Sequence, residues 1–137
     1  MIQLPQVLLD TDTLSVYMRR EPVVVAHIED YLDVYGQFNL SIMTRYEILR
    51  GLKAKRATAK ITRFNTLCAA NNVFPLTDEI VEQAAEVYAD LYRRGELISD
   101  GDMLIAGTAL VHNLVVITNN EKHFSRISGL HIDNWLK

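Results

Sequence analysis

Two short, uninterrupted apolar segments set the strongest limit on the fold of this chain. Val7–Leu9 runs directly into the acid Asp10, and Leu114–Ile117 runs into Thr118. Runs of three or four apolar residues are typical of strands that are covered on both faces of a sheet. Because segments with helical periodicity separate the strand segments, we predict an α/β fold with a central parallel β-sheet flanked by α-helices.

Hydrophobic periodicity and capping residues predict the remaining elements. Thr11 or Asp12 could cap a short helix that reaches Arg19, and Pro22 prevents its extension. We predict further helices over 23–35, from Thr44 onward, over 57–70, from Thr77 or Asp78 to near Gly95 and over 101–112, a helical piece around Phe124, and strands over 38–42, 73–74 and 131–132.

Length and composition predict one domain, residues 1–137, in the cytoplasm. A chain of 137 residues favours a single domain, and its apolar runs are far shorter than a membrane span. Residues 1–5 lack the basic flank and the apolar stretch of a signal peptide. Cys68 is the only cysteine, which excludes an internal disulfide and fits a reducing compartment. We therefore expect a buried, unreactive thiol and no membrane partner.

Three acids in distant segments are the candidate site residues. Asp10 follows the first strand, whereas Glu47 and Asp102 each lie near the predicted start of a helix. Ligands of parallel α/β sheets bind at the carboxyl ends of the strands, so the three carboxylates could meet at one edge. Grouped carboxylates raise one another's pKa, and a hard cation such as Mg²⁺ or Mn²⁺ relieves this. The 4 histidines show no zinc-binding spacing.

Helix capping is an alternative role for these acids. Thr44 and Glu47 have the spacing of a capping box, in which Glu47 accepts a hydrogen bond from the Thr44 amide. Ser99 and Asp102 repeat this spacing, and Asp12 could act as a simple N-cap. The sequence alone leaves both roles open.

The segment after Asp102 is strongly apolar and must be buried. Gly107 lies in its middle, where a glycine lowers helix stability by about 1 kcal/mol relative to alanine. We therefore expect Gly107 to pack closely against another backbone.

Half of the basic residues lie in one segment of an acidic chain. The net charge is −3, yet residues 45–63 hold 7 of the 14 lysines and arginines, with Glu47 as the only acid. This basic stripe consists of Arg45, Arg50, Lys53, Lys55, Arg56, Lys60 and Arg63. It could follow the phosphate backbone of a nucleic acid, or it could be a solvated helix face or a surface for an acidic protein.

Four segments, in order, resemble the motifs of PIN-domain proteins, and they resemble most closely the VapC-type toxins of bacterial toxin–antitoxin pairs. The first two are residues 8–15, with Asp10, and residues 41–51, with Glu47. The other two are residues 101–109 and 118–124, and the tail of the chain matches at Gly129-Leu130 and Asn134-Trp135.

The resemblance implies a PIN-like fold and a Mg²⁺-dependent endoribonuclease that cleaves RNA, with tRNA among the candidates, through metal-activated water. Asp10, Glu47 and Asp102 would hold the ion, with Mn²⁺ as an alternative. Asn120 stands where many members have a fourth acid, which makes it a further catalytic candidate. The resemblance also implies a homodimer and a small cognate antitoxin whose tail enters the acidic groove.

Some residues depart from the family pattern. Asp12 replaces the usual asparagine and adds negative charge, and His123 replaces a common acid before Phe124. Asp100 is an extra acid whose role is open. The tyrosines at 17, 31, 35, 46, 88 and 92 could form a dimer face or pack in the core.

Two other functions fit parts of the sequence. In a haloacid-dehalogenase-like phosphatase, Asp10 would be the nucleophile and Asp12 the general acid, but Glu47 and residues 118–124 would have no role. In a non-catalytic binding module, the acids would be structural and their substitution would leave the protein's effects unchanged.

Overall fold

A five-stranded parallel sheet forms the centre of the computed structural model, which describes residues 4–137. The strands are β1 (Val7–Leu9), β2 (Asn39–Ser41), β3 (Asn72–Phe74), β4 (Val115–Ile117) and β5 (Ile132–Asp133). They pair in the order β3-β2-β1-β4-β5, each pair in parallel. The predicted parallel α/β sheet is confirmed. Part of the segment used to predict the absence of a signal peptide, residues 1–3, lies outside the described residues.

Helices connect the strands and lie close to their predicted positions. They are α1 (Thr11–Met18), α2 (Pro22–Tyr35), α3 (Ile42–Ala54), α4 (Thr58–Ala70), α5 (Asp78–Arg94), α6 (Asp100–His112) and α7 (Glu121–Phe124). Local chemistry sets their ends, as α5 illustrates. The Thr77 side chain accepts a hydrogen bond from the Ile80 amide at its start, and Gly95 ends it with a φ of 69°.

The predicted starts of α1 and α3 are wrong by one or two residues. Helix α1 is capped by Asp10, whose side chain accepts from the Thr11 amide, so neither Thr11 nor Asp12 is the N-cap. Helix α3 begins at Ile42 because the Ser41 hydroxyl accepts a hydrogen bond from the Thr44 amide at 3.1 Å. The strand predicted over 38–42 is correspondingly shorter.

The sheet is covered on both faces, as its uninterrupted apolar strands predicted. Val7 and Leu9 belong to a core formed with helices α1 to α4, and Cys68 of α4 is buried in it. Leu8, between them, belongs to a second core formed with α5, α6 and α7. Successive residues of a strand point to opposite faces of the sheet, so β1 contributes side chains to both cores. The expected burial of Cys68 is confirmed.

The helices of the described residues do not have the length and the apolar character of a membrane span. Across residues 4–137, every helix is either too short or too polar to cross a bilayer.

Helices α5 and α6 pack closely at Gly107, as expected. A Cβ atom at this position would lie 3.1 Å from the Ile80 carbonyl oxygen and 3.2 Å from the Ala84 amide nitrogen. Both neighbours are backbone atoms, which cannot rotate away. The glycine therefore permits the helix pair that fixes α6, the helix that carries Asp102.

Replacing Gly107 should separate this helix pair. We expect Gly107→Val to lower the free energy of unfolding by about 1–3 kcal/mol, the usual range for overpacking. Gly51→Val is the matched control, because among the described residues no atom lies within 4 Å of a Cβ built at Gly51 in α3. Urea unfolding followed by circular dichroism compares the two. Equal losses of stability would contradict close packing at Gly107.

Candidate active site

Asp10 is a buried carboxylate at the carboxyl end of β1. Its side chain is fixed at both oxygens: the Thr11 amide donates to Oδ1 at 2.7 Å, and the Thr118 hydroxyl donates to Oδ2 at 2.8 Å. The Asp10 amide donates to the Ile117 carbonyl of β4. Only 5% of the residue is exposed. The acid is thus held rigidly between the central strands β1 and β4.

Burial raises the pKa of Asp10 to about 7. Loss of solvation is the largest cause, and the negative charge of Asp12 adds to it. The hydrogen bonds from Thr118 and Thr11 act in the opposite direction and lower the pKa, whereas the charge of Asp102 raises it further. The net rise means that the ionised carboxylate lacks a neighbouring positive charge.

Glu47 lies close to Asp10 through a shared threonine. Thr11, the residue after Asp10, donates its hydroxyl to Glu47 Oε1 at 2.7 Å, and the same hydroxyl oxygen lies 3.1 Å from Thr44 Oγ1. The predicted capping box is therefore wrong: Glu47 points across to α1, and Ser41 caps α3 in place of Thr44.

Asp102 approaches the same edge from the first turn of α6. A Cβ atom at its neighbour Gly101 would lie 3.0 Å from Glu47 Oε2, so a larger residue there would require that carboxylate to shift by a few tenths of an ångström. Ser99 caps α6 as predicted, accepting a hydrogen bond from the Asp102 amide at 3.2 Å. The Asp102 side chain faces α7, where Oδ2 lies 3.4 Å from Nδ1 of His123.

Asn120 joins this group from the turn after β4. Its amide donates to Thr118 Oγ1 at 2.9 Å, the hydroxyl that also holds Asp10. Its side-chain Nδ2 lies 2.8 Å from Nδ1 of His123. The structure therefore connects Asn120 to the acids through Thr118 and His123.

The donor set fits a hard cation, although its carboxylates are not assembled as one compact ligand group. Within residues 4–137, no three His, Cys, Asp or Glu side chains are grouped closely enough to hold a metal ion. The carboxylate oxygens of Asp10, Glu47 and Asp102 are the ligand type that Mg²⁺ prefers, and Mg²⁺ usually keeps several waters. The raised pKa of Asp10 indicates negative charge that a cation would compensate.

A groove of about 420 Å³ adjoins this edge, between α1, α3 and α4. Thr11 and Glu47 line it together with four cationic residues: Arg19, Lys55, Lys60 and Arg63. None of the four forms a salt bridge with another residue in the described range, 4–137. The groove thus places uncompensated positive charge beside the acids.

Only part of the basic stripe faces the groove. The Arg45 guanidinium lies 5.7 Å from the Phe64 ring centroid, and the Arg50 guanidinium lies 5.1 Å from that of Tyr46. These two arginines therefore lie over aromatic rings and do not line the groove. Arg19, which is outside the stripe, does line it.

Two further acids that were singled out in the sequence are Asp12 and Asp100. Asp12 Oδ2 accepts a hydrogen bond from the Asn119 amide at 3.1 Å, which ties α1 to the turn after β4. Asp100 is an exposed residue at the start of α6.

The hydroxyl groups that organise the site were not predicted as site residues, although Thr118 was placed at the carboxyl end of its strand. Thr11 bridges Asp10 and Glu47, and Thr118 bridges Asp10 and Asn120. The available signal was position: Thr11 lies two residues after β1, and Thr118 directly follows β4. A threonine at the carboxyl end of a parallel strand can donate to a neighbouring acid.

Comparison with known proteins gives consistent matches over almost the whole chain. The model of the PIN domain family matches residues 7–130. Ribonuclease VapC1 of Methanocaldococcus jannaschii is 30% identical over 122 residues, which cover 89% of this chain and 81% of the relative. The tRNA(fMet)-specific endonuclease VapC of Salmonella typhimurium is 26% identical over 130 residues, covering 93% and 96%.

A solved structure has the same fold. A chain in the crystal structure of VapBC2 from Rickettsia felis, bound to a DNA fragment from their promoter, superposes with a TM-score of 0.85 at 22% identity. The match covers 93% of this chain and 97% of that one.

The raised pKa of Asp10 predicts a stability that depends on pH when divalent cations are removed by EDTA. Folded protein holds the Asp10 proton up to about pH 7, whereas the unfolded chain releases it near pH 4. The free energy of unfolding should therefore fall as pH rises between these values, by on the order of a few kcal/mol.

Asp10→Asn should remove that decrease, and the variant should be more stable than wild type at pH 8 but not at pH 4.5. Urea unfolding at the two pH values measures this. Asp33→Asn, which removes an exposed carboxylate on α2, is the control and should leave the pH dependence unchanged. An Asp10→Asn variant that is less stable than wild type at pH 8 would contradict the prediction.

Proposed function

This chain belongs to the PIN domain family, and within it to the VapC ribonucleases, and on that premise we propose that it is a Mg²⁺-dependent endoribonuclease acting as the toxin of a type II toxin–antitoxin system. The observation that carries the proposal is the approach of Asp10, Glu47 and Asp102 to one sheet edge, beside a groove lined by cations. Acids alone would repel a nucleic acid, and cations alone would bind it without cleaving it.

Asp10, Glu47 and Asp102 would hold the Mg²⁺ ion. When bound, the ion stabilises negative charge on the scissile phosphate and lowers the pKa of water. The protein's part is to fix the acids in place. Thr11 and Thr118 occupy one lone pair on each Asp10 oxygen, and Thr11 also holds Glu47 Oε1. These hydrogen bonds favour the ionised carboxylates, because they donate to the charged form.

The groove would hold the RNA strand next to the acids. Arg19, Lys55, Lys60 and Arg63 can pair with phosphates, which positions a strand without reading its sequence. Glu47 lines the same groove, so a strand bound there passes beside the acidic cluster. Mn²⁺ is the alternative ion, because it accepts the same oxygen ligands.

The proposed substrate to test first is tRNA. The Salmonella typhimurium relative, 26% identical over most of both chains, is named for cleavage of tRNA(fMet). The four cations of the groove support binding of a nucleic-acid backbone, but they carry no signal for a particular tRNA.

We further propose a homodimer with a small cognate antitoxin as partner, acting in the cytoplasm. Family membership supports the antitoxin. The exposed face of α5 supports the dimer, because Tyr88 and Tyr92 stack there at 6.0 Å with 43% and 64% exposure. The lone cysteine, buried in α4, fits a reducing compartment.

The alternative functions are not favoured. A haloacid-dehalogenase-like phosphatase would use Asp12 as general acid, but the Asp12 carboxylate accepts a hydrogen bond from the Asn119 amide. A purely structural role for the acids does not explain why a carboxylate with a raised pKa is kept buried at a sheet edge.

Purified protein, freed of co-purifying antitoxin, should cleave tRNA or total RNA with Mg²⁺ and lose this activity in EDTA. Asp10→Asn and Asp102→Asn should each lower the cleavage rate by roughly 100-fold or more, because several kcal/mol of charge stabilisation is lost. Asp100→Asn is the matched control, since Asp100 is exposed and lies two residues from Asp102; it should retain activity within a few-fold.

Circular dichroism verifies that each variant is folded. Full cleavage by folded Asp10→Asn protein would refute the assignment of the acids. Cleavage by wild type that persists in EDTA would refute the metal dependence while leaving the nuclease assignment in place.

The cations that line the groove predict a separate effect on RNA affinity. Lys60→Ala with Arg63→Ala should weaken RNA binding by about 10-fold and lower the salt dependence of log Kd by about one unit, because roughly one to two phosphate contacts are lost. Lys53→Ala with Arg56→Ala removes the same charge from the same stripe but outside the groove lining, and should have a smaller effect. Fluorescence anisotropy at several salt concentrations makes the comparison. Equal losses in both variants would assign binding to the whole stripe.

A further inference from the structure

Three side chains with lone pairs meet at the outer edge of the acidic cluster. Nδ1 of His123 lies 2.8 Å from the Asn120 side-chain nitrogen, Nδ2, and 3.4 Å from Asp102 Oδ2. The His123 side chain is 41% exposed and that of Asp102 is 17% exposed. A small cation can therefore reach this group from solvent and keep some of its waters.

The elements that carry these side chains are fixed independently of one another. Asp102 is in the first turn of α6, where its amide is held by Ser99. The Asn120 amide is held by Thr118, whose hydroxyl also bonds Asp10. His123 is in α7, next to the fully buried Phe124. Separate contacts thus fix the backbone at Asp102 and at Asn120 and the helix that carries His123.

The mutual contacts place Nδ1 of His123 between an amide nitrogen and a carboxylate. If Nδ1 of neutral His123 accepts a hydrogen bond from Asn120, its lone pair also faces the negatively charged Asp102. If Nδ1 carries a proton instead, that proton must be shared between Asp102 and Asn120, and the Asn120 amide must turn to present its oxygen. With the Asn120 amide turned in this way, a cation in place of that proton would bind all three groups at once.

The distances suit such an ion. Metal–oxygen bonds of about 2.0–2.1 Å place neighbouring ligands of an octahedral ion roughly 3 Å apart. Asp102 Oδ2 lies 3.4 Å from Nδ1, and a half-turn of the Asn120 amide would put its oxygen where Nδ2 now lies, 2.8 Å from Nδ1, so the two distances span this value. The ligand group combines a carboxylate, an amide oxygen and an imidazole nitrogen.

We propose that Asp102, Asn120 and His123 form a ligand group for a divalent cation at the active site, and that His123 gives the site a preference for first-row transition ions such as Mn²⁺ over Mg²⁺. This rests on the proposed function for the role of Asp102. Imidazole nitrogen binds transition ions well, whereas Mg²⁺ favours oxygen ligands. His123 is thus a residue that sets the metal preference of this chain.

Metal binding tests the proposal without measuring cleavage. Mn²⁺ affinity is obtained from the loss of the free-ion electron paramagnetic resonance signal, and Mg²⁺ affinity from competition. Wild type should bind Mn²⁺ at least about 10-fold more tightly than Mg²⁺. His123→Asn, which keeps an oxygen near the position of Nδ1, should lose about 10-fold in Mn²⁺ affinity, since loss of even an outer-shell partner lowers affinity roughly 10–100-fold.

The same variant should change Mg²⁺ affinity by only two- to three-fold. His131→Asn is the control, because His131 is exposed on the amino-terminal side of β5, and it should change neither affinity. In wild type, substoichiometric Mn²⁺ should broaden the imidazole NMR signals of His123 before those of His27, His112 and His131.

The proposal is overturned if His123→Asn leaves Mn²⁺ affinity unchanged, if the His123 signals are not broadened first, or if wild type binds no divalent cation. Failure of the proposed function is distinguishable: wild type would then show the expected Mn²⁺ preference but cleave no RNA. The converse, metal-dependent cleavage with equal affinities in wild type and His123→Asn, would remove His123 from the site and leave the nuclease intact.

Discussion

The burial of one ionisable carboxylate, Asp10, constrains the rest of the site. A charge at this depth is stable only if it is hydrogen-bonded and compensated, and two hydroxyl- or amide-bearing residues, Thr11 and Thr118, supply the hydrogen bonds. Thr11 is the first residue of α1, and Thr118 directly follows β4. The two hydrogen bonds to the Asp10 carboxylate therefore join the start of α1 to the turn after β4. Glu47 and Asn120 take their positions from the same two threonines.

The overall fold could be predicted because its cause is visible in the chain. Uninterrupted apolar runs such as Val7–Leu9 have no exposed side, and a sheet buried on both faces has helices as its connections. The position of Asp10 at the edge of the sheet could be predicted for the same reason. Parallel topology brings the carboxyl ends of strands to one edge, whichever residues lie between them in sequence.

Side-chain partners could not be predicted, because spacing along the chain does not choose among competing hydrogen bonds. Thr44 and Glu47 have capping-box spacing, but Ser41 stands three residues earlier and takes the Thr44 amide, which frees Glu47 to turn toward Thr11. The start of α3 at Ile42 was not predicted, because Ile42 continues the alternation of apolar residues at Phe38 and Leu40 that is typical of a strand. His123 was noticed only as a departure from the family, and its contacts with Asp102 and Asn120 required the three-dimensional arrangement.

Gly101 has a consequence for how this sequence can change over evolution. Alanine would favour the first turn of α6, since glycine is the weaker helix former, yet any Cβ there meets Glu47 Oε2 at 3.0 Å. A methyl group at 101 would therefore favour the helix and at the same time displace the Glu47 carboxylate by a few tenths of an ångström. A substitution that strengthens one helix can thus disturb a side chain on another, at a residue 54 positions away in the sequence.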